Sequence, residues 1–215
     1  MVQQATQAEL NRLFGRGEEV MGPVAAEEEL QEALGVRMLG ACYDDLKTSH
    51  LRRAVKCSMT LWYGHVMPSF HATALLGVAH FAPLDKSSKA VWRAAMTIGG
   101  HLSDTASIDL DADPVASYPP LLPYPRQPAG MWLDGIGYWL GFRAEGLETS
   151  LRFSNPQGDL VAFEKMMFEV AEGIQARAGN RILGLYLHLW RGYCAHRWGE
   201  KRAEAPRPEV RGDEE

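Results

Sequence analysis

Six of the chain's twelve prolines fall in one stretch, "PVASYPPLLPYPRQP", from Pro114 to Pro128. No helix or interior strand survives that density, because each proline lacks an amide donor and drives the preceding residue out of the helical region. The connection over 114–130 is therefore extended or turn-rich, and regular structure must be sought on either side of it. A loop this long inside a compact domain is uncommon unless it has a function. Extended proline-rich segments dock into aromatic grooves at low entropic cost. Tyr118, Tyr124 and Arg126 are accordingly candidate interaction residues. The alternative is that Tyr118, Leu121 and Tyr124 pack inward across the chain's own hairpin.

Before the prolines, "TQAEL" starts a short helix, with Thr6 as cap, Glu9 three residues on, and Leu10, Leu13 and Phe14 at helical spacing. The run "VAAEEELQEALGVRMLGACYDDL" predicts a second helix, its acids in the first turns where the helix dipole favours them. "SHLRRAVKCSMTLWYG" fits a helix that hands over to a strand near Lys56. Whether 62–81 is helix or strand stays open. "DKSSKAVWRAAMTIGGHL" predicts a helix ended by Gly99 and Gly100, and "TASIDLDAD" alternates as a strand. After the prolines, "GYWLGFRAEGLETSLRFSN" predicts a β-hairpin, with Tyr138, Leu140 and Phe142 on one face of its first strand. Two helices follow: one capped at Asp159 with Phe163, Met167, Val170 and Ile174 as its stripe, and one burying Ile182, Leu185, Tyr186, Leu189 and Tyr193. The predicted fold is α+β, with helices at both ends flanking a central antiparallel β region that includes a hairpin near 136–154. Residues 1–198 form one globular domain, and 199–215 form a charged, disordered tail.

With 46% hydrophobic and 23% charged residues, the chain can bury a real core. Its net charge of −5 and pI of about 5.8 argue against a coat for nucleic acid. There is no secretory signal, and no apolar run is long enough to cross a bilayer, so a cytoplasmic location away from membranes is expected. Cys42, Cys57 and Cys194 are far apart and odd in number, which suits reduced thiols and disfavours a cysteine-built zinc site. No phosphate-loop or dinucleotide fingerprint is present, and no cofactor or metal is expected.

The most chemical-looking segment is "WYGHVMPSFHATALLGVAHF", Trp62 to Phe81, with three of the seven histidines. A metal site or an acid–base pair needs imidazoles that converge. His71 and His80 are nine residues apart, so they diverge in one strand and, at about 100° per step, in one helix as well. A bend at Gly77 is the only evident way to unite them. His65 and His71 straddle Pro68, and His101 with Asp104 follows. These four, His65, His71, His101 and Asp104, are the candidate catalytic residues. "DLDAD" would place Asp109, Asp111 and Asp113 on one strand face, and a solvated acidic edge explains them more simply than a cation.

"PSFH", Pro68 to His71, resembles the Pro-Ser-x-His element of the type 2 phosphatidic acid phosphatase superfamily, in which histidine and basic residues handle a phosphate. Lys56 lies upstream, and "RAAMTIGGHLSD", Arg93 to Asp104, is similar to that family's Arg…His…Asp element. Yet no Arg-Pro follows Lys56, and His101 stands eight residues after Arg93 and three before Asp104. The family's multi-helix membrane framework is missing too. These departures set the resemblance aside.

Basic and aromatic residues gather near the end: Arg191, His196 and Arg197 with Trp190, Tyr193 and Trp198. Interleaved cations and rings suit a protein partner, and the basic C-terminal helix also admits contact with nucleic acid. Two readings follow. One is a non-catalytic accessory or interaction subunit of a larger protein or nucleoprotein assembly. The other is a small histidine-dependent hydrolase or lyase, metal-assisted or not, using His65, His71 or His101 with Asp104. The sequence leaves open whether the chain is an enzyme.

Overall fold

The computed structural model describes residues 6–15, 23–35, 57–83, 91–99, 104–114, 135–144 and 147–199. Two helices, α1 (Gln7–Phe14) and α2 (Pro23–Leu34), precede six strands: β1 (Cys57–Pro68), β2 (Ala74–Pro83), β3 (Val91–Ile98), β4 (Asp104–Leu110), β5 (Ile136–Ala144) and β6 (Leu147–Ser154). Helices α3 (Leu160–Ala178) and α4 (Arg181–Cys194) follow. The strands form one antiparallel sheet in the order β4-β3-β2-β1-β5-β6. The class is therefore α+β, and β5 and β6 form the hairpin near 136–154. Tyr118, Tyr124, Arg126, His101, the later part of the predicted second helix and the tail after Gly199 lie outside the described residues.

The undecided stretch 62–81 is strand, turn and strand. Pro68 closes β1, where a missing amide matters least. Alternation sends Trp62 and Val66 to one face and Leu61, Tyr63 and His65 to the other. The first face packs on α3 and α4, together with Leu76, Val78, Met96, Tyr138, Leu140 and Phe153, and α1 adds Leu10 and Phe14 to this core. The second face packs on α2 through Leu30 and Leu34, with Leu75, Ala79 and Ala95. A central strand buried on both faces reads as an unbroken apolar run, which is why its periodicity was ambiguous.

The helix predicted over "DKSSKAVWRAAMTIGGHL" is corrected: 91–98 is β3. Ala94, Ala95 and Met96 favour helix in isolation, but β2 and β4 flank this segment and both its faces are buried. Gly77 makes no bend either. It sits in regular register between Tyr63 and Ala95, and a Cβ there would stand 2.5 Å from Leu34 Cδ1. Glycine is present so that α2 can seat a leucine against the strand.

The local signals at Thr6 and Gly179 act as read. Thr6 accepts from the Glu9 amide at 3.2 Å, and Gly179 ends α3 in the left-handed region at φ 64°. Asp159 takes the N-cap position but makes no side-chain cap bond. The buried side of α4 is broader than the expected stripe. Leu183, Leu187, Trp190 and Cys194 join Leu185, Tyr186 and Leu189, while Ile182 and Tyr193 are only partly buried.

Candidate functional site

The candidate residues fall into separate places. His65 points from β1 onto the α2 face. Its ring lies 4.6 Å from the Trp139 ring, and its Nε2 is 3.8 Å from Glu27 Oε1. Burial pushes the His65 pKa down to about 4, with the positive charge of Arg152 adding to the effect. Burial also raises the Glu27 carboxyl. The imidazole is thus neutral at pH 7, and the 3.8 Å approach to Glu27 is not an ion pair. Arg152 lies over the far part of this group, 4.9 Å from the Trp139 ring centre. The Trp139 Nε1 is buried and has no hydrogen-bond partner among the described residues.

His71 lies beyond the end of β1, on the side of α1 and α4. Its Nε2 donates to Asn11 Oδ1 at 2.9 Å, which leaves Nδ1 to accept from the Tyr193 hydroxyl at 2.7 Å in the neutral ring. The sheet therefore separates His65 from His71, and Pro68 parts them instead of joining them. Each imidazole is held by local partners. His80 stacks on Trp92 across the β2–β3 pair, with ring centres 4.0 Å apart. Asp104 accepts from Asn180 Nδ2 at 3.0 Å and from the Thr105 amide at 2.9 Å. The "DLDAD" acids do not share a strand face, because β4 ends at Leu110. Asp109 takes a two-point contact from Arg93, at 2.7 and 3.3 Å. Among the described residues, no three His, Cys, Asp or Glu groups cluster so as to hold a metal. No helix among them is long and apolar enough to cross a membrane.

The densest polar cluster was not anticipated. Glu164, on the inner side of α3, is fully buried. Its carboxylate accepts from Arg197 Nη2 at 2.6 Å, Arg197 Nε at 3.2 Å, Trp198 Nε1 at 2.9 Å and the Tyr138 hydroxyl at 2.7 Å. Tyr138 in turn accepts from Trp190 Nε1 at 2.9 Å. Burial raises both the Tyr138 hydroxyl and the Cys194 thiol, and the negative charge of Glu164 adds to each, so Cys194 is an inert core thiol. Four hydrogen bonds thus converge on the carboxylate, as its burial requires. Arg197, expected as a partner contact, is spent inside the molecule. A glutamate in a helix ordinarily reads as a solvated residue, and its cation stands 33 positions later, so no local spacing announces the pair. The one available hint was the crowd of tryptophans and tyrosines around Arg197.

This internal clamp shapes the surface above it. By fixing the turn after α4, it sets Trp198 edge-on to Phe168 at 4.8 Å. A groove of about 180 Å³ results, lined by Phe168, Trp198, Lys165, Arg191, Glu169 and Glu172. Arg191 reaches across it, 5.8 Å from the Phe168 ring centre and 3.7 Å from Glu172 Oε1. His196 is exposed nearby in the chain. The groove is smaller than the roughly 300–1,000 Å³ of ordinary small-molecule pockets. Its aromatic floor and arginine rim have the make-up of a protein-binding spot.

The fold and site together define an α+β chain with a structural polar core and a mixed aromatic and charged groove. Comparison with family models, with curated proteins and with solved structures gives no match, and the site is read from its own chemistry.

Proposed function

We propose that this chain is a non-catalytic accessory subunit, working in the cytoplasm, that docks a protein partner on the outer surface of α3 and α4. The observation that carries the reading is the groove in which Arg191 and Lys165 flank Phe168 and Trp198. Trp and Arg are the side chains that most often dominate binding energy at interfaces. An occupant that fits is an apolar or aromatic side chain with a neighbouring carboxylate, the apolar part meeting the partly exposed Trp198 and the acid meeting Lys165 or Arg191. A nucleic-acid backbone fits less well: Glu169 and Glu172 line the same groove and repel phosphate, and Arg197 faces Glu164. A hydrolase or lyase would need two of His65, His71, His101 and Asp104 in one cleft. The placements of His65, His71 and Asp104 lend that alternative no support.

The test is affinity purification from the native host with the wild-type chain and with Lys165→Glu/Arg191→Glu. A partner retained by the wild type and lost by the variant is the expected result. A partner held equally by both contradicts the groove, and RNA or DNA recovered in its place contradicts the choice of partner class.

A further inference from the structure

We propose that Glu164 is a positioning residue for the docking groove. It holds Trp198 against Phe168 through the indole N–H, so that partner affinity depends on a buried carboxylate that the partner never touches. This role of Glu164 rests on the docking role proposed above.

Glu164 and Phe168 stand four residues apart on α3, which sets them one above the other on the same side of the helix. Trp198 reaches across from the turn after α4 and meets both. Its Nε1 donates to Glu164 Oε2 at 2.9 Å, and its ring lies edge-on to the Phe168 ring at 4.8 Å. Tryptophan suits such a position because it joins a large apolar body to one polar tip. The tip fixes where the body lies.

The backbone of the turn holds the ring less firmly. The Trp198 amide is shared between the Cys194 and Ala195 carbonyls at 3.3 and 3.2 Å, at the long end for such bonds. Arg197, one residue earlier, is drawn to the same carboxylate at 2.6 and 3.2 Å. Two consecutive side chains therefore converge on Glu164, and the turn takes its course from that one group. Trp198 and Phe168 are the aromatic residues lining the groove, and Phe168 is buried. An indole that swings away takes with it the ring a partner can reach.

A carboxylate that only stabilised the fold would act through Arg197, its ion-pair partner. A positioning carboxylate acts through Trp198. Two double variants separate these roles. Glu164→Leu/Arg197→Met removes both buried charges together, so that neither is stranded, and leaves the indole N–H without its acceptor. Glu164→Gln/Arg197→Met removes the same charges but keeps one oxygen that can accept from Trp198 Nε1.

Fluorine NMR of the full chain labelled with 5-fluorotryptophan reads the position of the ring, with Trp198→Phe assigning its line. Broadening by a soluble gadolinium chelate reports exposure, and far-ultraviolet circular dichroism checks the fold. The Trp198 line should be shielded in the wild type and the Gln/Met protein, and clearly more exposed in the Leu/Met protein. The partner captured by the wild-type chain should bind the Leu/Met protein about tenfold or more weakly, and the Gln/Met protein within about threefold of the wild type. The proposal is overturned by a Trp198 line equally shielded in the Leu/Met protein, by wild-type affinity in that protein, or by equal loss of affinity in both double variants. A wild-type Trp198 line as exposed as free 5-fluorotryptophan overturns it without any variant, should the Leu/Met protein not fold. If Lys165→Glu/Arg191→Glu leaves partner binding unchanged, the docking role fails by itself, and the Trp198 lines still decide whether Glu164 holds the indole.

Discussion

Arg197 lays two nitrogens on the carboxylate of Glu164, with Nη2 2.6 Å from Oε1 and Nε 3.2 Å from Oε2, in the turn that follows α4. One residue is fully buried and the other nearly so, with side chains 0% and 10% exposed. Breaking such a pair leaves one charge stranded, which costs about 3–5 kcal/mol, whereas replacing both partners costs far less. Glu164→Leu and Arg197→Met should each lower unfolding free energy by about that amount, and the double variant by clearly less than the sum. Urea denaturation of the four proteins reads the coupling. Additive losses would mean that the pair does not act as a clamp.

His65 gives a pH signature of known sign. Its folded pKa of about 4 lies below the unfolded value of 6.5, so the unfolded chain binds the extra proton. Stability from this residue is complete above pH 6.5 and is lost as pH falls toward 4. The whole effect is about 3 kcal/mol at most. Glu27, with its carboxyl raised by burial, works in the opposite direction at the lower end of that window. His65→Leu should flatten the stability curve between pH 6.5 and 4, as measured by denaturation at several pH values. An unchanged slope would exclude His65 as its source.

Gly77 and Leu34 should behave as a coupled pair. Gly77→Ala puts a methyl group where Leu34 Cδ1 now sits, and overpacking of this kind costs about 1–3 kcal/mol. Leu34→Ala alone opens a cavity, at about 2–5 kcal/mol. In the double variant the new methyl group occupies space vacated by the leucine, and the loss should fall below the sum of the two. Thermal melts of the set are sufficient.

The groove predicts a separation of binding from stability. The Arg191–Glu172 contact is about half exposed on both sides, so Arg191→Ala should change stability by no more than about 0.5 kcal/mol. Partner affinity should nevertheless fall about tenfold or more, as at an interface hot spot. Equal affinity for the partner would remove Arg191 from the site.

Legibility from sequence follows burial. β4 and the β5–β6 hairpin alternate because one side of each is less covered, and they were readable; α3 showed its stripe for the same reason. β3 was misread because "RAAMTI" is apolar toward both layers, and its alanines and methionine favour helix until neighbouring strands override them. The histidine test was half readable. Spacing alone showed that His71 and His80 diverge, but only the fold shows that the sheet parts His65 from His71. The Glu164 clamp was invisible because it is assembled from β5, α3 and the turn after α4, and no local pattern links positions so far apart.

The most direct test of the docking role is a photo-crosslinking amino acid placed at Lys165, beside the groove, and in a second protein at Ser107, on the β4 edge. After irradiation in the native host, a single protein partner should be captured from position 165 and not from position 107, and Arg191→Glu should abolish the product. Capture from both positions alike, or capture at 165 that survives Arg191→Glu, would contradict the groove as the docking site.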